Sequence, residues 1–317
     1  MNSPCCHTDA RPHGRDRKGV RRFRCANCRK TFQAPKSRPI GAMRIEVAKA
    51  EKVVQALLEG CSIRSVERMF DIHRDTVMAL VLELGDRCKR YFFDTLKGLD
   101  ADVIECDEVW SWAGCKERTR ERLGKGEEYG DVWFHTAIDP GTKLLACWHA
   151  GRRSDEDTHA FAYKLAEAVS GSVMVSTDGL SNYRTALPMA FGTRVHHAAV
   201  IKTYAGGNED HKYSPSRISG VEKHARYGNP DLSRASTSII ERSNLTLRTN
   251  LRRFTRLTIG FSKSRRHHEA MFAIWALWYN FVKPHLTLKR DTPAMAHGLT
   301  DHRWTIREML NETAHSF

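Results

Sequence analysis

The period of the hydrophobic pattern changes along the chain. Between positions 43 and 84 it is helical: Val47, Val53, Val54, Leu57 and Leu58 share a stripe of a helix predicted over 43–58, which Gly60 ends. Ser62 can cap a short second helix over 63–70. Asp71-Ile72 then turns the chain into a third helix over 74–84, carrying Val77, Leu80, Val81 and Leu84. A short second helix, a tight turn and cationic neighbours fit helix-turn-helix spacing, which would set Arg74, Asp75 and Thr76 against base edges or phosphates. An ordinary three-helix bundle gives the same periodicity.

From Asp102 the pattern becomes strand-like. Strands are predicted over 103–110, 132–138 and 143–149, with Asp139-Pro140-Gly141-Thr142 as the turn between the last two. A helix over 155–169, capped by Ser154 and striped by Phe161, Leu165 and Val169, leads to a buried strand over 172–177 ending in Asp178-Gly179. A helix over 183–189 and a strand over 194–200 follow. Three strands, helix, strand, helix, strand is the order of an α/β, RNase H-like domain. Positions 203–236 are rich in Gly, Ser, Asn, Pro and charge without a period, and read as a long mobile loop. Helix resumes over 237–253, and again over 264–281 with Met271, Phe272, Ile274, Leu277 and Trp278 turned to a core.

Composition adds partner and compartment. A length of 317 residues allows one sizeable catalytic domain plus small modules. The longest apolar run, 271–282, is interrupted by Asn280 and too short to span a bilayer, so no membrane partner is expected. A basic, polar start without an apolar signal core, and nine irregularly spaced cysteines, point to a reducing, cytoplasmic setting. The net charge of +14 is concentrated. Positions 1–40 hold eleven Lys or Arg against two acids, and 242–290 hold eleven against Glu269 alone. Two basic zones suit a polyanion, and nucleic acid is the leading partner, although a solvated basic surface has the same composition.

In the first zone, Cys25 and Cys28 form a Cys-x-x-Cys knuckle, able to place two thiolates on one tetrahedral Zn²⁺. Ser3 stands where a partner of Cys6 is expected, leaving Cys5, His7 or His13 to complete a zinc-ribbon-like segment around Cys6, Cys25 and Cys28; free thiols in a basic arm are the plain alternative.

Three acids fall where a hard cation is best held, at the ends of rigid elements. Asp107 lies in the first strand of the α/β region, Asp178 ends the fourth, and Glu241 begins the helix that follows the long loop. In an RNase H-like sheet the first and fourth strands are neighbours. Alternation places Glu105 on the face of Asp107, as its rival for the first ligand, and sends Glu108 to the other face.

The chain resembles the DDE transposases of bacterial insertion sequences, particularly the insertion-sequence-one group and its zinc-ribbon relatives. The matching stretches run from Asp107 to Ser111, Thr177 to Tyr183 and Ile240 to Arg248, with Phe261 to Ser264, Tyr279 to His285 and Thr292 to Ala296 beyond. The resemblance implies Asp107, Asp178 and Glu241 as catalytic Mg²⁺ (or Mn²⁺) ligands, strand transfer, N-terminal modules that bind double-stranded terminal repeats, and a homo-oligomer on DNA. It also implies a DNA contact seven positions after the catalytic Glu, which is Arg248; Arg242, Arg252, Arg253 and Arg256 continue the basic track.

The expected organisation is a zinc-ribbon-like segment over 1–40, a helix-turn-helix domain over 41–97, an RNase H-like catalytic domain over 98–290 and a tail over 291–317. A DNA-binding regulator without catalysis, and an RNase H-like nuclease without strand transfer, are the alternatives; neither requires all three acids together with both N-terminal modules.

Overall fold

The computed structural model describes residues 3, 5–6, 8–17, 19, 21–33, 39–204, 218–255 and 259–314. It is a mixed α/β protein with two sheets. The smaller is an antiparallel three-stranded sheet of β1 (Ala10–Arg15), β2 (Arg21–Cys25) and β3 (Thr31–Gln33). Three helices follow: α1 (Val47–Leu58), α2 (Ile63–Phe70) and α3 (Arg74–Thr95).

The Ser62 hydroxyl caps α2 by accepting from the Ser65 N–H at 3.1 Å. Asp71, left-handed at φ 46°, makes the tight turn into α3. That third helix is much longer than its apolar stripe predicts, because its second half leaves α1 and α2 and packs on the central helix of the next region. At Gly85 the two backbones approach so closely that an added Cβ would collide with Ala270. The boundary expected near position 97 is therefore crossed by one continuous core.

The larger sheet has six strands: β4 (Val103–Ala113), β5 (Gly130–Ile138), β6 (Leu145–Gly151), β7 (Val173–Thr177), β8 (Val195–Tyr204) and β9 (Ile218–Tyr227), in the order β6-β5-β4-β7-β8-β9. A short helix, α4 (Glu117–Arg122), lies between β4 and β5. The first and fourth strands of this sheet, β4 and β7, are parallel neighbours, as expected. The last strand is a correction. Residues 218–227, inside the segment read as a loop, pair antiparallel with β8. Only two of the ten are more than marginally apolar and none is buried, so this solvated edge strand carries no hydrophobic signal. Positions 205–217 of the same segment lie outside the described residues.

Helices α5 (Asp155–Ala168) and α6 (Tyr183–Phe191) cover one face of the sheet, and α7 (Ser238–Asn250) and α8 (Arg265–Phe281) cover the other. Ser154 caps α5 as anticipated. The helix predicted over 237–253 is α7 followed by a 3-10 turn at Arg252–Phe254. Phe134 of β5 stacks on Phe272 of α8 at 4.4 Å between ring centroids. Asn280, which interrupts the apolar run, is buried: its side-chain amide donates to the Leu145 carbonyl and accepts from the Leu145 N–H, both at 2.9 Å, clipping α8 to strand β6. The region beyond 291 is structured as well. Helices α9 (Pro293–Ala296) and α10 (Ile306–Glu312) return to the body, where α10 meets α1 and α8 and Arg307 pairs with Glu51. No helix among the described residues is long and apolar enough to cross a membrane.

Candidate active site

Strand β4 is longer than its parallel partner. Its register with β7 runs from Val103↔Met174 to Glu105↔Ser176, so β7 ends beside the middle of β4 and delivers Asp178 next to Asp107 and Glu108. Ligand oxygens of Asp107, Glu108 and Asp178 all lie within 4.8 Å of one another. The three acids line a cavity of about 450 Å³ together with Lys202, Thr237, Glu241, Asn244 and Arg248.

Each carboxylate is held. Asn244 donates to Asp107 Oδ2 at 2.7 Å, and the Leu180 N–H donates to Asp178 Oδ1 at 2.9 Å. The Tyr183 hydroxyl donates to Glu108 Oε1 at 2.5 Å. Arg153 reaches Glu108 at 3.5 Å and Asp178 at 3.6 Å. Burial, with the charges of Asp178 and Glu241 adding to it, pushes Asp107 up to about 6. Burial, followed by the charge of Asp178, pushes Glu108 up to about 8. One nearby arginine among three clustered acids leaves an excess of negative charge, and hard oxygen donors so close together fit a divalent cation.

Glu105 is elsewhere. Its buried carboxylate accepts from the Ile239 and Ile240 N–H groups at 2.8 and 2.9 Å, so this rival of Asp107 caps the start of α7. Glu108 is the residue that the sequence reading set aside. It does point to the α6 face, but because β7 stops short, that face is open to Asp178. The signal available was its adjacency to Asp107.

Glu241 lines the cavity without joining the close group. It is tied to Lys202, and Thr237 Oγ1 donates to its Oε1 at 2.8 Å. The helix thus brings the third acid to the same cavity wall, one ion pair away from the other two.

Residues 221–280 match the family of IS1 transposases. The matched stretch runs from within β9 through α7 and α8, and it contains Glu241, Asn244 and Arg248 while Asp107 and Asp178 lie outside it. It supports the resemblance to insertion-sequence transposases that the motifs carry. No curated protein matches the chain. A solved piggyBac transposase synaptic complex with hairpin DNA is similar at a TM-score of 0.35 and 9% identity, over 84% of this chain and 70% of that one; so distant a likeness says nothing of the site.

A second cluster suits the N-terminal part of such a transposase. The sulfurs of Cys5, Cys6, Cys25 and Cys28 lie within 4.8 Å of one another, with Cys5 and Cys28 at 3.2 Å. Arg29, left-handed at φ 59°, closes the Cys25–Cys28 knuckle by donating its N–H to the Cys25 carbonyl. Four thiols at this spacing fit one tetrahedral Zn²⁺. Cys5 occupies the open fourth position. Ser3 is buried behind the knuckle, His13 sits on exposed β1 away from the sulfurs, and His7 lies outside the described residues.

The residues expected on DNA divide. Arg74 is exposed and Thr76 half-buried at the start of α3, where the Arg74 N–H donates to Glu67. Arg248 is half-buried and lines the acidic cavity, so it is not a plain surface arginine. Arg252 is exposed. Arg253 turns inward: its Nη1 donates to Ser262 Oγ at 3.2 Å and to the His267 carbonyl at 3.0 Å, and burial lowers its pKa to about 10. It braces the segment before α8, and its guanidinium is not presented to a polyanion. Arg256 lies outside the described residues. Lys202 and Arg153, which the sequence reading did not single out, are the cations nearest the acids.

Proposed function

We propose that this protein is a transposase that binds the terminal repeats of an insertion sequence, cleaves DNA there and joins the freed 3′-hydroxyl to target DNA. The observation that carries the reading is the convergence of Asp107, Asp178 and Glu241 on one cavity whose other wall is cationic. Asp107 and Asp178 would hold two Mg²⁺ or Mn²⁺ ions jointly, and Glu241 would hold one of them. When bound, such a pair activates the attacking oxygen and stabilises the leaving oxygen.

The chain's own residues set up that chemistry. Asn244 and the Leu180 N–H fix the orientation of the two aspartates. With its pKa near 6, Asp107 is ionised at neutral pH, whereas Glu108, near 8, retains its proton and limits the negative charge of the empty site. Arg248 lies in the cavity and Arg252 just beyond α7, suited to hold backbone phosphates on either side of the acids. Arg74 and Thr76 would read the terminal repeat from α3 as the recognition helix of a helix-turn-helix, with the four-cysteine segment as a zinc ribbon beside it. The six-stranded sheet serves as an RNase H-like scaffold, and the cut ends would be held by a homo-oligomer in the cytoplasm.

A regulator without catalysis has no need for three acids on one cavity, and all three are present. The test is strand transfer with purified full-length protein, Mg²⁺ and the DNA flanking its own coding region. Asp107→Asn, Asp178→Asn and Glu241→Gln should each abolish joining while leaving binding of that DNA in place. DNA binding without cleavage by the unmodified protein would favour the regulator. Cleavage without joining would favour the nuclease.

A further inference from the structure

The inference concerns Lys202 and rests on the reading of the acids as metal ligands. Val200, Lys202 and Tyr204 alternate along β8 and all line the catalytic cavity. The Lys202 ammonium is engaged by Glu241, and its side chain is only 16% exposed against 46% for Glu241. Thr237 adds a hydrogen bond to the same carboxylate oxygen. The third acid is therefore already paired with a cation and stands outside the group formed by Asp107, Glu108 and Asp178.

A divalent cation and an ammonium repel one another, and they cannot both occupy that oxygen. Metal capture by Glu241 must displace Lys202. The displaced charge would then sit in a largely enclosed cavity beside Arg248, where an unpaired cation is costly. The anion that the proposed substrate brings to this place is a backbone phosphate, and the flexible lysine stem can follow it.

We infer that Lys202 is a further positioning residue of the site: it holds Glu241 until a divalent cation takes that carboxylate, and it is then transferred to a phosphate of the bound DNA. Metal and DNA consequently reinforce one another, since each relieves what the other's arrival leaves unpaired, and by linkage the effect is reciprocal.

The experiment measures Mn²⁺ binding to the full-length protein by electron paramagnetic resonance, with and without a short random-sequence duplex and corrected for Mn²⁺ held by the duplex alone. In the unmodified protein the duplex should tighten Mn²⁺ binding several-fold. Lys202→Met should bind Mn²⁺ more tightly than the unmodified protein without duplex, and the duplex should add nothing further. Lys202→Arg should keep the coupling, and Lys202→Gln should repeat the methionine result if the latter melts early. Equal tightening in the unmodified protein and Lys202→Met, or unchanged Mn²⁺ affinity in Lys202→Met, would overturn the inference. Asp107→Asn separates the two readings. If it binds Mn²⁺ as the unmodified protein does, the metal site itself is wrong. If it loses Mn²⁺ while Lys202→Met keeps the coupling, only the role of Lys202 falls.

Discussion

The buried carboxylate of Glu105 accepts from the backbone N–H of Ile240 at 2.9 Å, joining β4 to the first turn of α7 directly before Glu241. Thr237, the residue at the helix N-cap, makes no side-chain cap bond there, so the cap comes from another strand. Glu105 thereby anchors the helix that carries the third acid while its neighbour two positions on, Asp107, faces the cavity.

Glu105→Ala should therefore act through position. Leaving the Ile239 and Ile240 N–H groups without an acceptor should cost about 1–3 kcal/mol of stability. Urea denaturation reads that loss. Mn²⁺ affinity should fall far less than in Asp107→Asn; an equal fall would return Glu105 to the ligand set.

Glu108 gives a pH test with a definite sign. Its folded pKa, near 8, lies above the usual carboxylate range, so the native state holds the proton more tightly than the unfolded chain does. The associated stability is present at low pH and is lost as pH rises through about 8. Glu108→Gln keeps an acceptor for the Tyr183 hydroxyl and cannot ionise. In metal-free protein its melting temperature, relative to the unmodified chain, should rise between pH 6 and pH 9. A constant difference across that interval would mean that Glu108 is already ionised at neutral pH.

Much of this was legible in the sequence, and the failures share physical causes. Ser62 and Ser154 announced their helices because an N-cap is a local device. Asp107 and Asp178 were legible because alternation and a strand end fix a side chain's place. Strand β9 was not, since an edge strand exposed on both faces has no apolar alternation to read. The second half of α3 ran past its stripe because Gly85 and Ala270 make a backbone contact that no hydrophobic count registers. Arg253 appeared to continue a basic track, yet its direction depends on Ser262 and His267, which the chain brings to it from the far side of a turn.

The N-terminal cluster yields a test of ligand identity. One Zn²⁺ per chain should be found by native mass spectrometry, and Cys5→Ser, like Cys25→Ser, should lose it. His13→Ala should retain it. Retention of zinc by Cys5→Ser together with loss in His13→Ala would replace Cys5 by His13 in the site.

Adjacent arginines should behave in opposite ways. Arg252→Ala, at an exposed position, should change stability by less than about 0.5 kcal/mol and weaken binding of duplex DNA. Arg253→Ala should cost about 1–3 kcal/mol by leaving the enclosed Ser262 and His267 acceptors unmatched, with DNA affinity nearly unchanged. Thermal melts and salt-matched binding measurements on the two variants check both halves, and a reversed pattern would show that Arg253 is the DNA contact.

The central claim is that Asp107, Asp178 and Glu241 form one metal site. Anomalous diffraction from Mn²⁺-soaked crystals of the full-length protein tests it most directly. The account predicts a peak between Asp107 and Asp178, with Glu241 released from Lys202 and turned toward it. A peak confined to the separate acidic cavity lined by Asp100, Asp102 and Asp139, with Asp107 and Asp178 unoccupied, would contradict it.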